Sequence, residues 1–347
     1  MTAVVVLLLF ACATPALEMR YNLDPNGTSG RVWPPLPEVP RYRYMGELVG
    51  EQNFVQLVRQ QPGAGRRILN WLAGLNQRQR NPVQLLRPQS GMADPVTGRI
   101  FVTDLGQKAV AVFDLENTEL VFWRNAGDNE QFHSPVGIAR SGDNEIWVAD
   151  AELGKIVRLD NNGLPLGGIG KGILTRPTGL AWDKLNQRMY VADTAKHDIK
   201  VLNADGSLHT VLGGPGGELG QFNGPTHLAF YANRLYVSDT LNARVQVITP
   251  AGEPVLQVGQ QGLYLGNLVR PKGVTVDEDG NVYVVEGYFD YLLVFNAASD
   301  LLLPLGGTGS GVGEFYLPAG AWSDENGRIF IADMFNGRVV ILQYLGA

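Results

Sequence analysis

Cysteine is almost absent from this 347-residue chain, because Cys12 is the only one. A disulfide within the chain is therefore excluded. Charged residues make up only 18%, with a net charge of −6. Residues 1–80 hold nine arginines and five acids, a net charge of +4, so the remainder carries −10. An acidic main body disfavours nucleic-acid binding, because phosphate contacts need clustered lysine and arginine.

Motifs of several enzyme classes are also missing. The chain has no Walker loop, no Gly-x-Ser-x-Gly elbow and no haem-attachment motif. The glycine-rich residues 213–217 lie in a turn region that no helical pattern follows, so they do not predict a phosphate site. The apolar run from Ala3 to Ala11 is too short to span a bilayer as a mature helix.

The same apolar run has the length of a signal-peptide core. It ends in Leu9-Phe10-Ala11-Cys12, which resembles a bacterial lipobox, so residues 1–12 are interpreted as a signal peptide with lipidation at Cys12. The alternative is cleavage by the ordinary signal peptidase near Ala13 or Ala16. In bacterial lipoproteins, Ala13 after the cysteine implies the outer membrane, and we therefore expect an exported outer-membrane lipoprotein. The Pro-rich residues 13–41 are predicted to form a spacer.

Internal repetition dominates the rest of the chain. Six segments each open with a proline before an apolar stretch, and each contains an apolar or aromatic run that ends in an acid. The prolines are Pro88, Pro135, Pro177, Pro225, Pro271 and Pro318. The acids are Asp104, Asp150, Asp193, Asp239, Glu286 and Asp333. Two independent markers that keep one period predict six copies of one unit.

Each unit has the pattern of β-strands. The runs Ile146–Asp150, Met189–Asp193 and Ile329–Asp333 are rich in β-branched and aromatic residues. Turn pairs such as Asp205-Gly206 supply the positive φ that tight hairpins need. Four strands in about 45 residues, repeated six times, predict an all-β six-bladed β-propeller over residues 42–347.

The two ends of the predicted ring complete each other. The sixth unit ends near Leu345 without a fourth strand, whereas residues 42–50 resemble the outer-strand regions 211–214 and 303–307. We therefore expect the N-terminal strand to complete the last blade and to remove an open sheet edge.

Residues 55–80 interrupt this pattern. Ile68, Leu69, Leu72 and Leu75 have helical spacing and predict a short helical insertion. It would pack on the flank of the propeller or cover one end of its channel. Alternatively, the arginines that flank it would form a basic contact for a partner or for anionic lipid headgroups.

Several units carry short motifs that resemble the NHL repeat family. They are Pro177–Ala181, Tyr236–Asp239 followed by Asn242–Arg244, and Ala332–Asp333 followed by Asn336–Arg338. The resemblance covers about residues 42–347 and implies an NHL/TolB-like propeller, but it is weak for activity. Relatives with the insertion and with a Tyr288-Phe289-Asp290 segment accompany secreted multihaem cytochromes, which the resemblance therefore implies as partners.

The repeated acid is interpreted as structural, because every unit has one at the end of a strand. Glu286 is the exception, since Tyr288 and Phe289 follow it where other units carry small or polar residues. Together with Phe335 these aromatics could form an exposed recognition patch. The alternative is that they pack between neighbouring blades.

Arginine precedes the proline in units one, three and five, as Arg87, Arg176 and Arg270. In a propeller, the loop that enters each first strand and the loop that follows each second strand lie on one face. These arginines could therefore form a cationic triangle at the channel mouth, suited to a carboxylate or phosphate. The alternative is that each arginine pairs with an acid of a neighbouring blade.

Three of the four histidines, His133, His197 and His227, fall near the same face. His227 stands where Pro177-Thr178-Gly179 and Pro271-Lys272-Gly273 have glycine, so it departs from the repeat. A related propeller enzyme, peptidyl-hydroxyglycine amidating lyase, binds zinc through histidines of different blades, and zinc takes three protein ligands. Here the three histidines have unequal offsets within their units, so convergence is not expected. Nor can the acids and Asn of calcium-dependent lactonase-like propellers be assembled, and no metal or other cofactor is predicted.

The sequence thus favours a non-enzymatic, envelope-anchored binding or assembly module. It would bind an envelope protein partner or a small anionic ligand on the propeller rim. The candidate residues are Arg87, Arg176, Arg270, His133, His227, Glu286, Tyr288, Phe289 and Phe335. The alternative function is a metal-dependent lyase or hydrolase at the channel mouth, and RNA binding, known in some animal NHL proteins, is disfavoured.

Overall fold

The computed structural model describes residues 17–21, 30–56, 81–142 and 145–346. The predicted signal peptide with Cys12, and residues 57–80 of the predicted insertion, lie outside the described residues. Within the described part, no helix has the length and apolar character needed to cross a membrane. The helical elements of that part are the short 3-10 turns Glu51–Asn53 and Thr240–Asn242.

Six small antiparallel sheets make up the described propeller, and the predicted all-β, six-bladed fold is confirmed. Each of the first five blades has four strands in chain order. Blade 1 contains Pro88–Ala93, Ile100–Asp104, Ala109–Asp114 and Glu119–Trp123. Blade 2 contains Pro135–Arg140, Ile146–Asp150, Lys155–Leu159 and Pro165–Ile169. Blade 3 contains Pro177–Asp183, Arg188–Asp193, Asp198–Asn203 and Leu208–Gly213.

The remaining blades repeat this order, and the last one also draws on the N-terminal part of the chain. Blade 4 contains Pro225–Tyr231, Arg234–Asp239, Arg244–Ile248 and Pro254–Val258. Blade 5 contains Pro271–Val276, Val282–Glu286, Tyr291–Phe295 and Leu301–Gly306. Blade 6 contains Ala321–Ser323, Arg328–Asp333, Arg338–Tyr344, Tyr42–Leu48 and Val32–Trp33. A hairpin of Asn125–Gly127 and Glu130–Gln131 follows blade 1.

Ring closure occurs as predicted. Tyr42–Leu48 pairs antiparallel with Arg338–Tyr344, so the first part of the chain supplies the strand that the last unit lacks. Part of the predicted spacer is also ordered against the ring, because Val32–Trp33 adds a fifth strand beside Tyr42–Leu48. Leu17–Met19 pairs with Phe54–Gln56, so the first residues of the predicted insertion are strand rather than helix.

The core lies between neighbouring blades. Buried Tyr283 and Val285 of blade 5 pack in one cluster with Ile329 and Ile331 of blade 6. Because each sheet buries both faces against its neighbours, the blades stabilise one another around the ring. The first strands of adjacent blades contact each other in a closed circle and line the central channel.

Glycine is required where these inner strands come closest. A Cβ atom added to Gly179 would lie 2.7 Å from the carbonyl oxygen of Thr226, and one added to Gly137 would collide with the carbonyl oxygen of Thr178. Gly273 and Gly320 are equally crowded by the next inner strand. His227 occupies the corresponding position in blade 4.

Substitution of Gly137 with alanine should therefore destabilise the ring by about 1–3 kcal/mol, because the backbone of the next blade must move. Gly217→Ala is the matched control, since an added Cβ there meets nothing within 4 Å. Urea unfolding of both variants would check this. Equal stability of the two variants would contradict the close packing of the inner strands.

Candidate functional site

The repeated acids hold the loops of one face in place. The carboxylate of Asp104 accepts hydrogen bonds from the backbone N–H groups of Leu86 and Arg87, at 2.7 and 3.0 Å. Asp193 does the same for Thr175 and Arg176. Each such acid is buried. These acids therefore tie the end of the second strand to the loop that enters the first strand.

Glu286 has this same role despite its unusual context. Its side chain accepts hydrogen bonds from the backbone N–H groups of Val269, Arg270 and Tyr288. Glu286 is 1% exposed, and this burial raises its pKa above the ordinary value even though the N–H groups oppose the shift. It lies at the wall of a cavity of about 220 Å³ that is also lined by Leu263, Leu265 and Phe289.

The tied loops define one surface, which we call the rim: the residues just before each inner strand and the residues just after each second strand. Backbone hydrogen bonds join these two sets in every blade, for example from the N–H of Thr194 to the carbonyl of Arg176. The tight turns between first and second strands, such as residues 183–187, lie at the other end of the blades. The rim therefore gathers the predicted site residues on a single face.

Arg87, Arg176 and Arg270 are all exposed on the rim. Among the described residues, no carboxylate lies within 4.0 Å of any of these three guanidinium groups. The described residues therefore do not show the predicted pairing of each arginine with an acid of a neighbouring blade. Arg87 instead lies over the ring of Phe335, 5.8 Å from its centroid.

Aromatic side chains form two groups on the rim. Phe335 of blade 6 packs against Tyr316 with ring centroids 5.5 Å apart, and both are 48% exposed. Tyr288 and Phe289 of blade 5 meet edge to face at 4.9 Å, with Tyr288 55% exposed. The predicted aromatic side chains thus pack against a neighbouring ring and also expose part of their surface to solvent. The same residues can therefore stabilise the loops and contact a partner.

His133 and His197 have separate local roles. The backbone N–H of His133 donates to Asp150, and its ring Nδ1 lies 3.6 Å from the carboxylate of Glu152. His197 Nδ1 accepts a hydrogen bond from the N–H of Gly224 at 2.9 Å. In the described part of the chain, no three His, Cys, Asp or Glu side chains are grouped so that they could hold a metal ion.

His227 is different, because its imidazole is placed where blades 2, 3, 5 and 6 have glycine and blade 1 has only the small Ser90. Burial, assisted by the positive charge of Lys272 on the next inner strand, lowers the pKa of His227 to about 3. Lys272 is itself partly buried, and desolvation followed by the charge of Arg270 lowers its pKa. The channel mouth at blades 4 and 5 therefore combines a neutral imidazole with a cation.

This pKa predicts acid sensitivity. The unfolded chain binds a proton at His227 near its ordinary value of 6.5, whereas the folded chain does so only at about 3. The free energy of unfolding therefore keeps its full His227 contribution above pH 6.5. It falls as the pH is lowered toward 3, by at most about 1.4 kcal/mol per pH unit.

Urea unfolding at about pH 7 and about pH 5 would check this sign. His227→Phe should lose less stability between the two values than the wild-type chain. His209→Phe, at an exposed histidine of an outer strand, should behave like the wild type. An equal loss in all three proteins would contradict the depressed pKa.

Three residues on or near the rim were missed by the sequence reasoning. Lys272 follows the proline of blade 5, where the other blades have Gln, Val, Thr or Ala, and this contrast could have identified it. Tyr316 lies two residues before its proline, like Leu86, and nothing in the sequence marks it as exposed. Tyr264, which is 83% exposed in the loop between blades 4 and 5, stands where the corresponding loops before blades 4 and 6 have Glu218 and Gly311.

The closed ring and its rim thus define a six-bladed β-propeller with a polar and aromatic face. No protein-family model matches the sequence, and no curated protein matches it either. Similarity is found among solved structures, and each example below shares the fold at low identity.

An auxiliary nutrient binding protein from Bacteroides thetaiotaomicron VPI-5482 is 12% identical with a TM-score of 0.58, over 76% of this chain and 70% of that chain. A gluconolactonase from Xanthomonas campestris is 17% identical with a TM-score of 0.57, over 76% and 89%. A virginiamycin B lyase from Staphylococcus aureus is 14% identical with a TM-score of 0.53, over 75% and 95%. At these identities the likeness shows the fold alone.

Proposed function

We propose that the chain is a non-enzymatic binding module of the NHL repeat type that binds an anionic partner on its rim. The observation that carries this proposal is the set of three exposed arginines, Arg87, Arg176 and Arg270, without a carboxylate partner in the described structure. They come from alternate blades and are held by backbone atoms that the buried acids fix. An arginine of this kind is available to a carboxylate or phosphate of another molecule.

The aromatic groups support binding of a protein surface. Tyr288, Tyr316 and Phe335 each leave about half of their side chain exposed on the same rim. Tyrosine and arginine are the residues that most often dominate interface energetics. An acidic patch of an envelope protein would contact the arginines, while apolar residues around it would cover the aromatic rings.

Lipidation at Cys12 would hold this module at the outer membrane, and exported multihaem cytochromes are the proposed class of partner. The alternative, a metal-dependent lyase or hydrolase, has less support. The lyase and lactonase neighbours are at most 17% identical, and the described residues offer no His, Cys, Asp and Glu group for a metal.

An acidic peptide such as a short polyglutamate tests the proposal with a known probe. The chain has a net charge of −6, so binding of a polyanion near neutral pH requires a local cationic surface. Substitution of Arg87, Arg176 and Arg270 with glutamine should weaken binding by at least about tenfold and reduce its salt dependence.

The matched control replaces Arg41, Arg43 and Lys184 with glutamine. These residues are also exposed, and their substitution removes the same three positive charges, but they lie away from the rim. Fluorescence anisotropy over a salt series would measure both variants. Equal weakening by the two triple substitutions would reduce the effect to net charge and overturn the proposed role of the rim.

A further inference from the structure

The hydrogen bonds around His227 fix which of its ring nitrogens carries the proton. The hydroxyl of Thr240 lies 2.8 Å from the carbonyl oxygen of Pro271, which can only accept, so Thr240 donates there. Thr240 and Thr226 have their hydroxyl oxygens 2.7 Å apart, and Thr226 must therefore donate to Thr240. With its one proton used, Thr226 accepts from His227 Nδ1, at 3.2 Å.

This relay leaves His227 Nε2 as an unprotonated acceptor. Among the described residues, Nε2 is one of the few buried side-chain polar atoms with no hydrogen-bond partner. A buried acceptor without a partner destabilises the folded state, so a position that keeps one calls for a ligand or a water. The imidazole is neutral at physiological pH, so its lone pair is free to accept a hydrogen bond.

Blade 3 shows that the relay does not depend on the histidine. There the hydroxyls of Thr178 and Thr194 are 2.7 Å apart, and Thr194 donates to the carbonyl of Pro225 at 2.7 Å. The residue after Thr178 is Gly179, so this relay ends without an imidazole. The two threonines therefore suffice to join one blade to the next, and His227 adds an acceptor that this junction does not need.

Lys272 supplies the second half of the same site. It lies on the inner strand next to His227, and in the described structure its ammonium has no acid partner. Burial without a counter-ion opposes the charged form of Lys272, so an anion bound beside it would be stabilised. Nε2 is closed to solvent, so a side chain must move to admit a ligand. Lys272 has a four-carbon stem with rotatable bonds and forms no ion pair among the described residues, so it is the side chain we expect to move.

We infer that this channel mouth binds a small organic anion that carries a hydroxyl next to its charge, such as a 2-hydroxycarboxylate. The carboxylate pairs with Lys272, with Arg270 nearby on the rim, and the hydroxyl donates its proton to His227 Nε2. A metal ion fits less well, since Lys272 repels it and no second ligand group accompanies His227 in the described residues. The inference rests on the proposed function, because it specifies a small ligand of the same anion-binding face.

Lactate and propanoate are suitable probes, because they differ only in the hydroxyl. Ligand-detected NMR titration should show lactate binding about tenfold more tightly, which corresponds to one satisfied buried acceptor. His227→Phe should abolish this preference while retaining weak binding of both anions. Lys272→Met should weaken both anions by about tenfold, and His209→Phe should leave both unchanged.

The protonation state has an independent readout that does not need a ligand. Nitrogen-15 NMR of the free chain should show the His227 ring protonated at Nδ1 and bare at Nε2. Thr226→Val should remove this preference, whereas Thr178→Val, in the corresponding relay of blade 3, should not. A ring protonated at Nε2 in the wild-type chain would overturn the inference.

The outcomes separate this inference from the proposed function. Equal affinity for lactate and propanoate, or no binding of either while the acidic peptide still binds through the three arginines, would overturn the hydroxycarboxylate site alone. Loss of peptide binding by the control triple variant as much as by the rim variant would overturn the proposed function. A tenfold preference for lactate that depends on both His227 and Lys272 would support the inference.

Discussion

A variant chain that begins at Gly50 should lose cooperative folding, because it lacks the strand that closes the ring. Tyr42, Tyr44 and Leu48 are each at most 4% exposed, and together they contribute roughly 4.5–9 kcal/mol of apolar burial. Their removal also opens the edge of the strand Arg338–Tyr344 along its whole length. A loss of this size is comparable to the whole stability of an ordinary domain.

The matched control begins at Gly30 and keeps the strands Val32–Trp33 and Tyr42–Leu48. It should melt within a few degrees of the full chain, since none of the described residues 18–21 that it removes is buried. Thermal unfolding followed by circular dichroism would compare the two variants. A single cooperative transition of unchanged midpoint in the variant that begins at Gly50 would contradict the closure.

Asp333→Ala should destabilise the chain by about 3–5 kcal/mol, because it leaves a buried arginine without its main counter-charge. The carboxylate of Asp333 accepts from Arg338 Nε at 2.8 Å and from the N–H of Tyr316 at 2.7 Å. Arg338 also donates to Glu47 on the closing strand at 2.8 Å. One buried cation therefore links the rim acid of blade 6 to the N-terminal strand.

Two further variants make this prediction specific. Arg338→Met combined with Asp333→Ala should recover part of the lost stability, because the unpaired buried charge is removed with its partner. Glu130→Ala breaks the ion pair of the exposed Glu130 with Lys155 and should cost less than about 1 kcal/mol. If Asp333→Ala cost no more than Glu130→Ala in urea unfolding, the structural role of the rim acids would be contradicted.

Much of the fold could be predicted because one pattern, an apolar run that ends in an acid, recurs six times at a nearly constant interval. The proline that opens each unit is the first residue of the inner strand in the first five blades, at Pro88, Pro135, Pro177, Pro225 and Pro271. In blade 6 the inner strand begins only at Ala321. The strands Leu17–Met19 and Val32–Trp33 were not predicted, since two or three residues are too short for a period to be visible.

The site could be predicted in position but not in detail. The topology alone places Arg87, Arg176 and Arg270 on one face, but whether an acid pairs with them depends on side-chain directions that no pattern encodes. His227 was visible as a departure from glycine, whereas its bare Nε2 follows only from the hydrogen-bond partners of Thr226 and Thr240. Exposure of Tyr316 likewise depends on how its neighbours pack.

Site-specific photo-crosslinking in intact cells tests most directly whether the rim is a binding surface, as proposed. A photoreactive phenylalanine analogue would replace Phe335 or Tyr288 on the rim, and Leu185, which is 80% exposed in the turn at the opposite end of blade 3, would serve as the control. The rim positions should give a covalent adduct with one envelope protein, and that adduct should disappear when Arg87, Arg176 and Arg270 are replaced with glutamine. An adduct formed at Leu185 and at neither rim position would contradict the account.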